Sequence, residues 1–150
     1  MKILVFELNR KLFGIDISYV LSIEKKPKII SVPNAPYYVD GITRLRDQVM
    51  PVYSLTKKFH YAELESGEDY VIIETEETNV VFHVGSVQKM IDVDDNQVIS
   101  IQNDILQEQK NLYKVISHEN DIIILLKVNS IITEQDKKYF ENECNKEVHV

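Results

Sequence analysis

Several residue types are scarce in this 150-residue chain, and each scarcity removes a class of function. Cys144 is the only cysteine, so no disulfide can close within the chain and a cytosolic setting fits. It sits in a charged C-terminal segment and reads as an incidental thiol. Four glycines, scattered along the chain, leave no phosphate-cradling loop. The longest unbroken apolar run, Ile122 to Leu126, has five residues, far short of the ~20 that cross a bilayer. The opening MKILVFELN is patterned as a strand and is too short an apolar segment for a signal peptide. Basic residues are outnumbered: the net charge of −7 argues against a general nucleic-acid surface, which needs a basic face.

What is present is an ordinary globular composition, 44% hydrophobic and 27% charged, which predicts order outside the ends. The length suits one domain or two small barrels sharing a core. Short β-branched and aromatic runs recur at Ile3–Leu8, Leu12–Ile17, Ile29–Val32, Tyr70–Thr75, Val80–Val84, Val87–Val93, Tyr113–Ser117 and Asp121–Lys127. Between them fall a turn at Asn9–Lys11, a break at Glu24–Pro27, a polar linker from His60 to Asp69 and a loop from Ile105 to Leu112. Thr133 to Asn145 reads as a terminal helix packed on one side through Tyr139 and Phe140. About ten short strands with few helices predict an all-β fold.

Two features organise this pattern. Gly41 to Leu55, GITRLRDQVMPVYSL, gathers a glycine, Arg44 and Arg46, the acidic turn residue Asp47 and a proline-bearing apolar run. It predicts a hairpin that presents two arginines beside its turn, followed by a short helix over Ser54–Phe59 with Ser54 as cap. The second feature is an internal match. A shift of 67 places lays Phe13, Ile15, Ile17, Val20 and Ile23 on Val80, Phe82, Val84, Val87 and Met90, all apolar. Together with the linker it favours two similar barrels.

No catalytic or metal constellation emerges. Ser117-His118-Glu119 supplies the letters of a nucleophile site, but successive strand side chains point to opposite faces. Asp92 to Asn96 opens like a calcium loop, then has Gln97 where the sharp turn wants glycine and Asn103 where a bidentate Glu is needed. His60, His83, His118 and His149 lack ligand spacing. Tyr37 and Tyr38 with the two arginines form the one basic-aromatic cluster, and core tyrosines with solvated arginines explain it as well. No cofactor, metal or catalytic residue is expected. Recognition by exposed strand edges and an inter-barrel groove remains.

The order of these features resembles the CheW family, scaffold adaptors of bacterial chemotaxis. Its alternating "a-x-D-I-x-x-V-x-x-I" segment is matched by Phe13 to Ile23, and its "V-P-x-A-P-x-Y-V-x-G" element by Val32 to Gly41. The hallmark "G-V-x-N-L-R-G-x-V-x-P-V-x-D-L" falls on Gly41 to Leu55, while Tyr70 to Ile132 fits by strand pattern and length. The resemblance implies two five-stranded SH3-like β-barrels sharing a core, with short helices and a C-terminal helix. It places a first barrel at 1–62, a second at 68–132 and helix plus tail at 133–150. It implies a non-enzymatic cytoplasmic adaptor that joins chemoreceptor tips to the regulatory domain of the histidine kinase CheA, and meets the membrane only through receptor complexes. The family's functional arginine falls on Arg46, with Arg44 beside it, and its receptor groove on Val20 to Glu24. Val20 and Ile23 read as core or as groove lining.

This chain departs from the family pattern at Ser22, Arg44, Asp47, Ser54 and Gly85-Ser86. Asp47 in place of the usual glycine raises the expectation of an ion pair with Arg44 or Arg46. The partner-binding set is therefore Arg46, Arg44, Asp47, Val20, Ile23 and Glu24. The rival reading is a stand-alone ligand-binding or regulatory barrel that has lost array membership.

Overall fold

Strand pairing, not chain order, decides how this molecule is built. The computed structural model describes residues 1–61, 67, 69–76, 78–99 and 113–148, with side chains as far as Glu141. Most of the expected linker, the expected loop at 105–112 and the Cys144 side chain lie outside this set. Among the described residues the strands are β1 (Lys2–Leu8), β2 (Lys11–Asp16), β3 (Val20–Lys25), β4 (Val39–Leu45), β5 (Gln48–Ser54), β6 (Asp69–Glu74), β7 (Asn79–His83), β8 (Ser86–Asp92), β9 (Val98–Ile99), β10 (Tyr113–His118) and β11 (Asp121–Leu126). The helices are α1 (Leu55–Lys58), α2 (Val128–Ile131) and α3 (Glu134–Val148).

These strands form two sheets, ordered β8-β1-β2-β11-β10-β9 and β3-β6-β7-β5-β4. Each sheet draws strands from both sides of the 62–68 segment. The β1–β2 hairpin takes its edge strand from β8, and the β6–β7 hairpin takes its own from β3. The parallel pairs β2–β11 and β5–β7 complete the correspondence. The 67-residue shift is carried down to a defect in the ladder. Register slips between Val20 and Ser22 in β3, leaving Leu21 over, and β8 leaves over Gln88, the residue 67 places on. Bulges at equivalent places turn both crossing strands alike.

Three apolar clusters follow from this layout. One lies inside each barrel: Ile3, Val5, Ile116, Ile123 and Leu125 in one, Met50, Val52, Ile72 and Val81 in the other. The third lies between the sheets and takes the alternate residues of the same strands, among them Leu4, Phe6, Phe13, Val71, Ile73, Val80, Phe82 and Leu126. Central strands are thus buried on both faces. That is why they read as continuous apolar runs such as Ile3–Phe6 rather than alternating ones.

Two expectations are corrected. Ile29 to Val32 is no strand; Ile30 and Ile42 form one isolated bridge, with reciprocal N–H···O bonds of 2.9 Å. Pro27 and Pro33 flank the segment and cannot donate to a ladder. The strand at Leu12–Ile17 stops at Asp16, whose side chain accepts the Ser18 N–H at 3.0 Å and starts a 3₁₀ turn over Ile17–Tyr19. The acidic turn after β8 is likewise a 3₁₀ turn, closed by the Asp94 N–H donating to Gln97 Oε1 at 2.8 Å.

Candidate partner-binding surfaces

The arginine hairpin is a tight one. Leu45 pairs with Gln48, so the loop is the two residues Arg46 and Asp47, with φ of 53° and 61°. Two left-handed residues in a two-residue hairpin define a type I′ turn, whose twist matches the strands. Asparagine and glycine are its usual occupants; aspartate tolerates the conformation, and arginine holds it at some local cost. Arg44, Arg46 and Asp47 are all exposed. Among the described residues none of the three makes an ion pair or side-chain hydrogen bond, so the expected pairing of Asp47 with Arg44 or Arg46 is absent. Asn79 Nδ2 donates to Gln48 Oε1 at 3.0 Å and fixes the base of the turn to β7.

The other end of the hairpin is fastened more firmly. Ser54 Oγ accepts the Lys57 N–H at 3.2 Å and caps α1, as the sequence leads one to expect. Asp40, left over at a slip in β4, accepts Lys57 Nζ at 2.7 Å and faces His83 Nδ1 at 3.7 Å. His83 Nε2 lies 3.1 Å from the Gly67 carbonyl, and its ring stacks on Tyr70 at 4.3 Å. Two acceptors flank one imidazole, so only the protonated ring can donate to both. Burial and the Lys57 ammonium oppose that charge, but the Asp40 carboxylate and Gly67 carbonyl outweigh them and raise the His83 pKa. Burial also works against the Asp40 charge, and His83 and Lys57 hold its pKa below the ordinary value all the same.

A raised histidine pKa adds stability in full below the unfolded value near 6.5 and loses it as pH rises through the folded value. Denaturation between pH 6 and 8.5 should therefore show a decline of at most about 1 kcal/mol that His83→Gln abolishes. Parallel curves for the two proteins would refute this.

β3 presents the second candidate surface. Val20 is half-buried against the inter-sheet cluster, whereas Ile23 is 42% exposed. Glu24 is half-buried, with Ser22 Oγ donating to its Oε1 at 3.3 Å. Leu21 is 38% exposed because the bulge turns it out, and Met90 on β8, the counterpart of Ile23, is 59% exposed. Neither stood out in the sequence; the 67-residue match that pairs Met90 with Ile23 was the available signal. β3 and β4 are the two outer strands in the order of the five-stranded sheet, and the chain that leaves β3 returns to β4 at the Ile30–Ile42 bridge.

Of the catalytic letters weighed earlier, His118 faces Gln97 Nε2 at 3.0 Å and Ser117 is exposed. Among the described residues no group of three His, Cys, Asp or Glu could hold a metal, and no helix is long and apolar enough to cross a membrane.

Comparison with known proteins agrees with this architecture. Residues 2–136 match the family model of the CheW-like domain. The chemotaxis protein CheW of Treponema pallidum is 35% identical over 105 residues, covering 66% of this chain and 62% of that protein, less than two thirds of its length. The chemotaxis protein CheW of Bacillus subtilis is 25% identical over 140 residues, 91% of this chain and 90% of that protein. The crystal structure of the scaffolding protein TtCheW from Thermoanaerobacter tengcongensis superposes with a TM-score of 0.77 at 24% identity, covering 90% of this chain and 94% of that one. The family model spans most of the chain and the two sheets match that fold, so the chain belongs to the CheW-like family.

Proposed function

We propose that this chain is a non-catalytic cytoplasmic adaptor that couples the cytoplasmic tips of chemoreceptors to the regulatory domain of the histidine kinase CheA. The observation that supports it is that the two candidate surfaces are carried by different strands of one sheet, the arginine turn by the β4–β5 hairpin and the apolar surface by β3. An adaptor needs two contacts that do not exclude each other. The β4–β5 turn offers the first: Arg46 and Arg44 carry unspent donors that can fork onto carboxylates or carbonyls of the kinase domain. β3 offers the second, an exposed edge with Leu21 and Ile23 on its surface and Val20 and Glu24 beneath, for the receptor tip. Asp47 limits the choice of kinase surface, since an acid beside Arg46 disfavours a strongly acidic partner.

Arg46→Ala should leave thermal stability unchanged, because the exposed side chain makes no hydrogen bond or ion pair among the described residues, and should weaken kinase-domain binding about tenfold or more. Equal affinity of the variant and the parent in a calorimetric titration would remove Arg46 from the interface.

A further inference from the structure

β3 and β8 both leave the hairpin that precedes them and finish as an edge of the opposite sheet. One buried carboxylate touches both. Asp69 opens β6 and is 5% exposed. Its Oδ1 is paired with the ammonium of Lys25, its register partner at the end of β3. Its Oδ2 accepts the Val87 N–H at the start of β8, at 2.7 Å. Its own carbonyl accepts the Val84 N–H at 3.0 Å, which holds the bend leading into β8. Burial alone would raise its pKa, but Lys25 and the Val87 amide outweigh burial and hold it below the ordinary value, so it is charged at neutral pH.

Folding alone does not ask for this arrangement. At the equivalent place on the other crossing, Lys2 faces Asp92 in register with the charges exchanged, and both residues are exposed. That half joins its sheet without a buried carboxylate. The Lys25 side chain is 71% exposed, so its ion pair adds little to overall stability. It can still decide where the end of β3 lies.

We infer that Asp69 is a positioning residue for partner binding: its carboxylate ties the edge strands β3 and β8 together, so that Leu21 and Ile23 on one and Met90 on the other keep a fixed relation. The binding consequence rests on the adaptor reading above; the tie itself does not.

Amide hydrogen exchange on the free protein tests the tie. Lys25→Met removes an exposed ammonium on β3 and leaves the core alone. It should nevertheless speed exchange of the Val87 N–H on β8 about fivefold, with β4 and β5 unchanged. Asp69→Asn keeps the shape and should loosen β3 and β8 together, about tenfold or more. A Lys25→Met effect confined to β3, or an Asp69→Asn effect confined to β8, would overturn the inference. Should Asp69→Asn fail to fold, Lys25→Met decides. In binding, Asp69→Asn should weaken a receptor-tip fragment about tenfold and leave the kinase regulatory domain untouched. An equal loss for both, or no loss, contradicts the positioning role. If the parent protein binds no receptor tip, the adaptor reading fails, and the exchange result alone judges the tie.

Discussion

Replacing Asp136 with alanine should lower stability by about 3 kcal/mol and the melting temperature by roughly 10 °C. Asp136 is 1% exposed and its carboxylate has no cation bonded to it among the described residues; three hydrogen-bonding groups hold it instead. Tyr38 Oη donates to Oδ1, Tyr53 Oη lies 3.2 Å from Oδ2, and the Thr133 N–H donates to Oδ2 at 3.1 Å. Its own N–H donates to Thr133 Oγ1 at 3.1 Å, so Thr133 and Asp136 form a reciprocal box at the start of α3. Burial first, and the Asp136 charge after it, push both phenols well above the usual tyrosine range, so both stay donors at any physiological pH. Lys58 Nζ sits 4.3 Å from the Tyr38 ring centre and completes the cluster. Alanine would strand the Tyr38 hydroxyl and the Thr133 amide; Tyr53 keeps the Ile131 carbonyl at 2.9 Å. Asp136→Asn should cost about half as much, since one acceptor oxygen survives. Thermal melts with both variants check this, and an alanine variant as stable as the parent would refute the anchor.

Gly41→Ala should cost a comparable amount, about 3 kcal/mol, for a different reason. Gly41 has φ of 152°, and an added Cβ would stand 2.2 Å from the Ile30 carbonyl oxygen. That carbonyl accepts the Ile42 N–H in the bridge that holds the 26–38 segment against β4. A side chain would have to break the bridge or bend the strand, and either shifts the hairpin that carries Arg44 and Arg46. Urea denaturation should show a lower midpoint with an unchanged slope. An unchanged midpoint would mean the bridge contributes nothing.

These cases mark what the sequence could disclose. The β4–β5 hairpin, the Ser54 cap and the terminal helix were legible because turn residues, caps and periodicity act over a few residues. The Leu12–Ile17 and Val80–Val84 patterns gave strands, and the 67-residue shift matched residues that lie at equivalent places in the two sheets. Which sheet β3 and β8 would join was not legible, because it depends on pairing between residues such as Ser22 and Ile72, fifty positions apart. Ile29–Val32 has strand letters, yet its prolines remove donors that a composition reading does not weigh. The polar clusters at Asp40–His83, Asp69–Lys25 and Asp136–Tyr38 are likewise assembled across long separations. Charge and burial at those positions only acquire meaning once the sheets are in place. For the candidate site the sequence named Arg44, Arg46, Asp47, Val20, Ile23 and Glu24 but not Leu21 or Met90, whose exposure depends on how β3 and β8 sit at the edges of their sheets.

The central claim is that one sheet offers two contacts that can be used together. Sedimentation of the full chain mixed with a receptor-tip fragment and the CheA regulatory domain tests it most directly. The account predicts a ternary complex, and predicts that Arg46→Ala loses the kinase domain from it while keeping the receptor fragment. Competition between the two partners for a single place on the chain, or loss of both on Arg46→Ala, would contradict it.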